Sequence, residues 1–129
     1  MTKVLEGIRV LDFGRYIAGP YCGTLLGDMG AEVIRIEKID GSEDRFLSPI
    51  TDKGDGALFM QLARNKLCMT LNPMKPEGRE IVKKLVATAD IVIANLPPDT
   101  LAKMGLDYES LKAIKEDIIL TTVSAFGRG

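Results

Sequence analysis

Residues 8–37 decide the fold and read IRVLDFGRYIAGPYCGTLLGDMGAEVIRIE. The first six are mainly apolar and β-branched, which is typical of a buried strand. Gly19-Pro20 then opens a helical segment that ends near Gly30. Its three small residues predict close packing, and its apolar stripe is predicted to be Leu25, Leu26 and Met29. Residues 32–37 form a second strand, with Val33 and Arg35 on one face and Ile34 and Ile36 on the other. Strand, helix and strand in about thirty residues predict a right-handed βαβ unit.

The rest of the chain continues the alternation of strands and helices. Residues 40–56 are polar and predict a long surface loop. Within the helix at 76–89, the side chains expected to face inward are Ile81, Leu85 and Val86. Further strands are predicted at 68–71, 90–96 and 118–124, and further helices at 76–89, 100–104 and 108–115. The pattern predicts an α/β fold, a Rossmann-like open, mostly parallel sheet with helices on both faces.

Composition excludes several classes of function. The 129 residues carry a formal net charge of -1, so no basic field is expected to hold nucleic acid or an anionic membrane. The chain has no His, which removes Ser-His and Cys-His nucleophile pairs. Cys22 and Cys68 lack metal-ligand spacing, and no metal site is predicted. The start lacks an apolar signal core and no apolar run reaches the ~20 residues that cross a bilayer, so a cytoplasmic protein is expected.

The first βα turn, residues 14–20, is the natural ligand crevice of such a fold. It reads GRYIAGP and lacks G-x-G-x-x-G, which disfavours a dinucleotide site although Glu37 ends the second strand. It also lacks the Lys-Ser/Thr of a P-loop, which disfavours nucleotide hydrolysis. Two interpretations stay open: a ligand-binding turn, and a glycine-rich turn that only permits close packing.

Several polar residues near strand ends are weaker candidates. Asn95 is interpreted either as a ligand contact or as a turn cap. Asp12 and Asp28 are interpreted as structural, because they form no catalytic pair. For any one basic residue a solvated charge is the commoner explanation, although such groups hold phosphates elsewhere. These basic residues are Arg15, Arg35, Lys38, Arg64, Lys66 and Lys103.

Short blocks in a fixed order cover nearly the whole chain: 5–13, 18–22, 26–38, 64–66, 76–78, 89–95, 105–109 and 124–127. No single block is specific. Their joint order resembles the class III CoA-transferases, the family of formyl-CoA transferase, carnitine CoA-transferase and 2-methylacyl-CoA racemase.

The resemblance implies an α/β enzyme whose two protomers interlock as a homodimer, with coenzyme A or acyl-CoA bound as substrate at the strand ends. By position, Tyr16, Ile17 and Ala18 would line the thioester and pantetheine region. Lys38 and Lys103 would meet CoA phosphates, Leu71 the adenosine portion, and Asn95 and Leu96 the pantetheine path. Lys38 stands where many members have Arg, so the geometry of that phosphate contact is expected to be weaker.

The resemblance also implies covalent catalysis, in which an aspartate forms a mixed anhydride with the acyl group and then a CoA thioester. That aspartate would follow residue 129, and no catalytic residue is carried over to this chain. Residues 1–129 are therefore expected to be an amino-terminal CoA-binding domain that ends before the nucleophile and is inactive alone.

Two departures bear on the reaction. Ile17 replaces the Gln of formyl-CoA transferases, and Ala18 replaces the Pro of many racemases. CoA transfer to a larger carboxylate is therefore expected, with 2-methylacyl-CoA racemisation as the alternative. Two interpretations from other classes are a nicotinamide or flavin nucleotide-binding module and a non-catalytic interaction fragment.

Overall fold

The computed structural model describes residues 3–47 and 49–127. The strands in this part of the chain are β1 (Arg9–Asp12), β2 (Glu32–Glu37), β3 (Leu67–Thr70), β4 (Ile91–Ala94) and β5 (Ile119–Thr122). The helices are α1 (Ala18–Asp28), α2 (Ala57–Leu62), α3 (Pro76–Val86), α4 (Pro98–Met104) and α5 (Tyr108–Lys112). One turn of 3-10 helix, Glu43–Phe46, interrupts the loop predicted at 40–56.

The strands form one sheet in the order β3-β2-β1-β4-β5. All four pairings are parallel, which confirms the predicted parallel α/β sheet. The chain moves outward from β1 through β2 to β3 and then returns to place β4 on the other side of β1. The strand order therefore reverses between β1 and β4, where the carboxyl ends of the strands leave a crevice.

Apolar residues cover both faces of the sheet, as predicted. One face packs against the last three helices through Leu11, Phe13, Ile36, Val82, Val86, Val92, Leu101 and Leu111. The other face packs against α1 through Val10, Val33 and Ile93, with Cys22 and Leu26 at its margin. No helix in the described ranges has the length and apolar character needed to cross a membrane.

Helix α1 packs through its small residues rather than through the predicted stripe. Leu25 and Met29 are each 44% exposed and Leu26 is half-buried, so the predicted apolar stripe does not form the face that packs on the sheet. The buried residues of α1 are Gly19, Pro20, Gly23, Thr24 and Gly27. The glycines recur every fourth residue and bring the helix axis close to the sheet, which confirms the predicted close packing.

Helix α3 begins with Pro76 at its first turn, where proline is pre-organised for helix, and ends at Val86 rather than at residue 89. Its inward face is formed by Gly78, Val82 and Val86. The predicted inward position of Ile81 is wrong, because its side chain is 37% exposed. The adjacent Val82 takes the core position, which is the one set by the i, i+4, i+8 period.

Candidate functional site

A cleft of about 700 Å³ opens at the carboxyl ends of the strands, beside the point where the strand order reverses. This volume lies within the range of small-molecule sites, about 300–1,000 Å³. Apolar side chains line part of it, including Phe13, Ile36, Leu71, Leu96 and Met104. Polar and charged side chains line the rest, including Arg15, Tyr16, Lys38, Glu43, Asn72 and Asn95. The cleft therefore combines an apolar surface with cationic groups.

The fold brings together five of the eight ligand-contact residues predicted from the sequence: Tyr16, Lys38, Leu71, Asn95 and Leu96 all line the cleft. The other three lie outside its lining. Ile17, at the start of α1, is 59% exposed, Ala18 begins the helix, and Lys103 is exposed on α4. Ligand contact by any of the eight stays a prediction.

The first βα turn is held in an unusual conformation. Tyr16 has a φ of 62°, a left-handed backbone that a bulky side chain adopts at a cost of about 1–3 kcal/mol. Asn95 directly follows β4, and its side chain forms two hydrogen bonds with the backbone of Arg15. Its Oδ1 accepts from the Arg15 N–H at 2.7 Å and its Nδ2 donates to the Arg15 carbonyl at 2.7 Å. Asn95 thus ties the turn to β4, the role of a turn cap that the sequence left open.

Arg15 also lines the cleft, although the family resemblance did not predict it as a ligand contact. Its Nη1 donates to the carbonyls of Phe13, Gly14 and Ile36 at 3.0, 2.9 and 3.2 Å. Burial and the nearby charge of Arg35 lower the pKa of Arg15. Nε and Nη2 donate to none of the described residues. Their spare donors on a fixed guanidinium suit a phosphate or carboxylate. The only sequence signal for Arg15 was a basic residue after a strand.

Lys38 faces a competing anion within the chain. It forms an ion pair with Glu43 of the 3-10 turn, with the two side chains 60% and 48% exposed. The hydrogen bond from Lys38 lowers the pKa of the Glu43 carboxyl. Exposed ion pairs add little stability, so Lys38 can exchange Glu43 for a bound anion at small cost.

A buried charged cluster fixes the 3-10 turn beside the cleft. Arg35 donates from Nη2 to both carboxylate oxygens of Asp44, at 2.7 and 2.8 Å. Glu37 accepts from the Ser42 N–H at 3.1 Å and from Arg45 at 2.7 and 2.5 Å. Arg35 is therefore not a solvated charge. The Glu37 carboxylate is already hydrogen-bonded to protein groups, which argues against the ribose contact that an acidic residue makes in a dinucleotide site.

The Glu37 cluster predicts an acid-sensitive contribution to stability. Burial alone would raise the pKa of Glu37, but the hydrogen bonds from Arg45 and Ser42 outweigh it and the net pKa is lowered from 4.5. The stabilisation is therefore fully present above the unfolded pKa and is lost as pH falls through the lower folded pKa. Thermal unfolding between pH 7 and pH 3 is expected to show a steeper loss of Tm in the wild type than in Glu37→Gln. Equal slopes would contradict this assignment.

Two aspartates interpreted as structural are indeed engaged in ion pairs. Asp12 pairs with Lys66 at 2.8 Å, both side chains fully buried, so Lys66 is not a solvated charge either. Asp28 pairs with Arg64 at 2.6 Å on the surface. Within residues 3–47 and 49–127, no group of three His, Cys, Asp or Glu side chains is arranged to hold a metal ion.

Comparison with known proteins identifies the family. Residues 5–129 match the family model described as CoA-transferase family III. The chain belongs to CoA-transferase family III. Relatives of this family III chain include the succinate–glutarate CoA-transferase of Agrobacterium fabrum, 40% identical over 131 residues, which cover 96% of this chain and 33% of that protein. The succinyl-CoA–D-citramalate CoA-transferase of Chloroflexus aurantiacus is 42% identical over 127 residues, which cover 98% of this chain and 32% of that protein.

A solved family III relative shares the fold. A CAIB/BAIF family protein from Brucella suis superposes with a TM-score of 0.93 at 40% identity, over 100% of this chain and 35% of that one. The family III chain therefore spans about a third of the length of the relatives it matches.

Proposed function

We propose that this chain forms the CoA-binding part of an acyl-CoA:carboxylate CoA-transferase, which moves CoA between carboxylic acids. The observation that carries the proposal is the cleft at the strand carboxyl ends, lined by Arg15 and Lys38 beside an apolar surface, in a chain of family III. Residues 1–129 act as the amino-terminal CoA-binding α/β domain of that enzyme.

The chemistry of the cleft fits the two halves of CoA. Phosphates take charge-assisted hydrogen bonds from Lys38 and from the spare donors of Arg15. The apolar lining receives the rest of the ligand, with Leu71 at the adenosine portion and Asn95 and Leu96 along pantetheine. Tyr16, Ile17 and Ala18 lie at the thioester, and Lys103 meets a phosphate from outside the cleft.

The chain binds and orients the thioester, and the covalent step belongs to an aspartate outside residues 1–129. That carboxylate attacks the acyl-CoA carbonyl and expels CoA thiolate, which leaves a mixed anhydride. The thiolate then attacks the aspartyl carbonyl of the anhydride, releasing the donor carboxylate and forming an aspartyl-CoA thioester, so that one acyl exchange is split into easier steps. Holding the thioester in a fixed turn supplies the orientation that such an attack requires.

The substrates proposed are carboxylates larger than formate and oxalate. The names of two relatives pair succinate with glutarate and succinyl-CoA with D-citramalate, which supports dicarboxylate substrates. Ile17, in place of the Gln of formyl-CoA transferases, points the same way. Incubating the whole enzyme, with the segment that carries the aspartate, with succinyl-CoA and glutarate tests the proposal. A change in the stereochemistry of 2-methylacyl-CoA without CoA transfer would select the racemase.

Ligand-dependent unfolding tests the binding site directly. A ligand that binds only the native state raises Tm by mass action. CoA and acetyl-CoA at millimolar concentration are expected to raise Tm in differential scanning fluorimetry, whereas NADH and ATP are not.

Lys38→Ala is expected to reduce the shift in Tm that CoA causes, and Glu43→Gln is expected to increase it by freeing Lys38. Lys84→Ala, on the exposed side of α3, is the matched control. A cooperative unfolding transition whose Tm does not change when CoA is added would contradict the proposal.

We further propose a cytoplasmic homodimer. Large apolar side chains at four-residue spacing, Ile17, Tyr21, Leu25 and Met29, form an exposed stripe along α1 that suits a second copy of the protein. Both cysteines, Cys22 and Cys68, are free thiols, which suits a reducing compartment. Sedimentation velocity tests whether the protein is a dimer. A wild-type protein that sediments as a monomer, as the Leu25→Asp variant is expected to do, would contradict the proposed dimer.

A further inference from the structure

A fully buried ion pair lies beneath the first βα turn, outside the cleft. Asp12 ends β1, and Lys66 immediately precedes β3, with β2 between those two strands. The Lys66 ammonium donates to Asp12 Oδ2 at 2.8 Å and to the Pro20 carbonyl in α1 at 2.6 Å. Asp12 Oδ1 accepts from the Gly14 N–H at 2.8 Å. Two side chains thus join β1, the turn, the first turn of α1 and the entry to β3.

The surroundings of this pair are shaped to accommodate it. A Cβ at Gly23 of α1 would lie 3.1 Å from Asp12 Oδ2 and 3.2 Å from Lys66 Nζ. A Cβ at Gly14 would lie 2.7 Å from Asp12 Oδ1. A buried ion pair generally gains little stability over apolar side chains of the same volume. Stability alone therefore does not account for two charges enclosed under a glycine-lined helix.

The feature that the pair does account for is the strained turn above it. Gly14 is held from below by Asp12, and Arg15 is held from the β4 side by Asn95. Tyr16 follows directly, with its left-handed φ of 62° and a side chain 48% exposed at the cleft. Strained backbone persists only where the surrounding structure over-determines it. The two anchors supply that constraint.

We propose that the Asp12–Lys66 pair is a positioning device that holds the 14–16 turn in its ligand-binding conformation and presents Tyr16 to the cleft. Neither side chain touches the ligand. The inference rests on the proposed function, since the ligand in the cleft is taken to be a CoA thioester.

The test uses Asp12→Asn/Lys66→Met, which removes both charges together, in the purified protein. Amide hydrogen exchange at Gly14 and Arg15, measured by NMR, is expected to accelerate about tenfold as the turn opens locally. The Kd for CoA by calorimetry is expected to rise about tenfold, because a misplaced binding group loses its alignment. Adding Tyr16→Gly to this variant is expected to weaken the binding of CoA no further, because the Asp12–Lys66 pair acts through Tyr16.

A matched control lies at the opposite edge of the sheet. Lys115 donates to Asp90 Oδ1 at 2.9 Å and to the Ala89 carbonyl at 2.8 Å, the same carboxylate-and-carbonyl arrangement away from the cleft. Asp90→Asn/Lys115→Met is expected to lower Tm and to leave both CoA affinity and exchange at Gly14 and Arg15 unchanged. Equal effects of the two double variants on affinity would overturn the positioning role.

Gly23→Ala gives a second test that keeps both charges. Its Cβ displaces the pair by a few tenths of an ångström, while alanine favours the helix. The expected result is weaker CoA binding without loss of Tm, which a purely structural role would not produce. If the wild type fails to bind CoA, the proposed function falls. Exchange at Gly14 and Arg15 then decides the inference by itself, and unchanged exchange in the double variant overturns it.

Discussion

Lys66→Met is expected to lower the free energy of unfolding by about 3–5 kcal/mol, because it leaves the Asp12 carboxylate buried without its partner. Lys66 and Asp12 are both fully enclosed, so water cannot replace the lost ammonium. Urea denaturation followed by circular dichroism measures the change. The double variant with Asp12→Asn is expected to recover part of the loss, since it removes the orphaned charge as well.

The control for this prediction is Lys83→Met. Lys83 pairs with Glu80 at 2.7 Å on the exposed side of α3, with the side chains 58% and 64% exposed. Exposed pairs are screened by solvent, so no measurable change is expected. A Lys66→Met variant as stable as this control would show that the buried pair is not closed to water.

Gly78→Ala is expected to destabilise the protein by about 3 kcal/mol, at the upper end of the range for overpacking. A Cβ at Gly78 would lie 1.9 Å from the Asn72 carbonyl oxygen, a backbone atom that cannot rotate away. Either α3 or the turn after β3 must move. Thermal and urea unfolding measure the effect, and Arg79→Ala, exposed on the same helix, is the control. A loss below 1 kcal/mol would show that the helix start yields easily.

The Gly78 contact also bears on the cleft. Leu71, Asn72, Pro73 and Met74 form one wall of it, and they make up the turn that α3 approaches so closely. Asn72 stabilises that turn by accepting from the Met74 N–H at 3.0 Å and from the Lys75 N–H at 3.2 Å. A variant that shifts the start of α3 is therefore expected to weaken ligand binding as well as stability.

The sheet was predictable because its signal is local. Residues 32–37 alternate in apolar character, and β2 occupies these same residues with Val33 and Arg35 on one face. The predicted β4 was longer than the observed one, Ile91–Ala94, because Asn95 leaves the ladder to hold the turn at Arg15. Helix α1 was predicted correctly as a helix, but its inward face was not. Hydrophobic periodicity detects large apolar side chains and is blind to a face made of glycines.

The candidate site, like the fold, was predicted only in part from the sequence. The family resemblance, rather than the strand pattern, predicted Tyr16, Lys38, Leu71, Asn95 and Leu96 as ligand contacts. The fold places all five at the edge of the sheet where the parallel strands end. The role of Arg15, the burial of Arg35 and the Lys38–Glu43 pair were not predicted. All three depend on which charged side chains the fold brings into contact. From the sequence alone, a charged residue is expected to be exposed to solvent.

The sequence by itself determined the α/β class, the parallel sheet, the family and the edge of the sheet where ligands are expected. Only the tertiary structure decided which groups meet there. Lys66 reaches Asp12 across 54 residues, and Asn95 reaches the Arg15 backbone across 80. Local periodicity is set by the backbone geometry of each segment, whereas these contacts exist only once the strand order brings distant segments together.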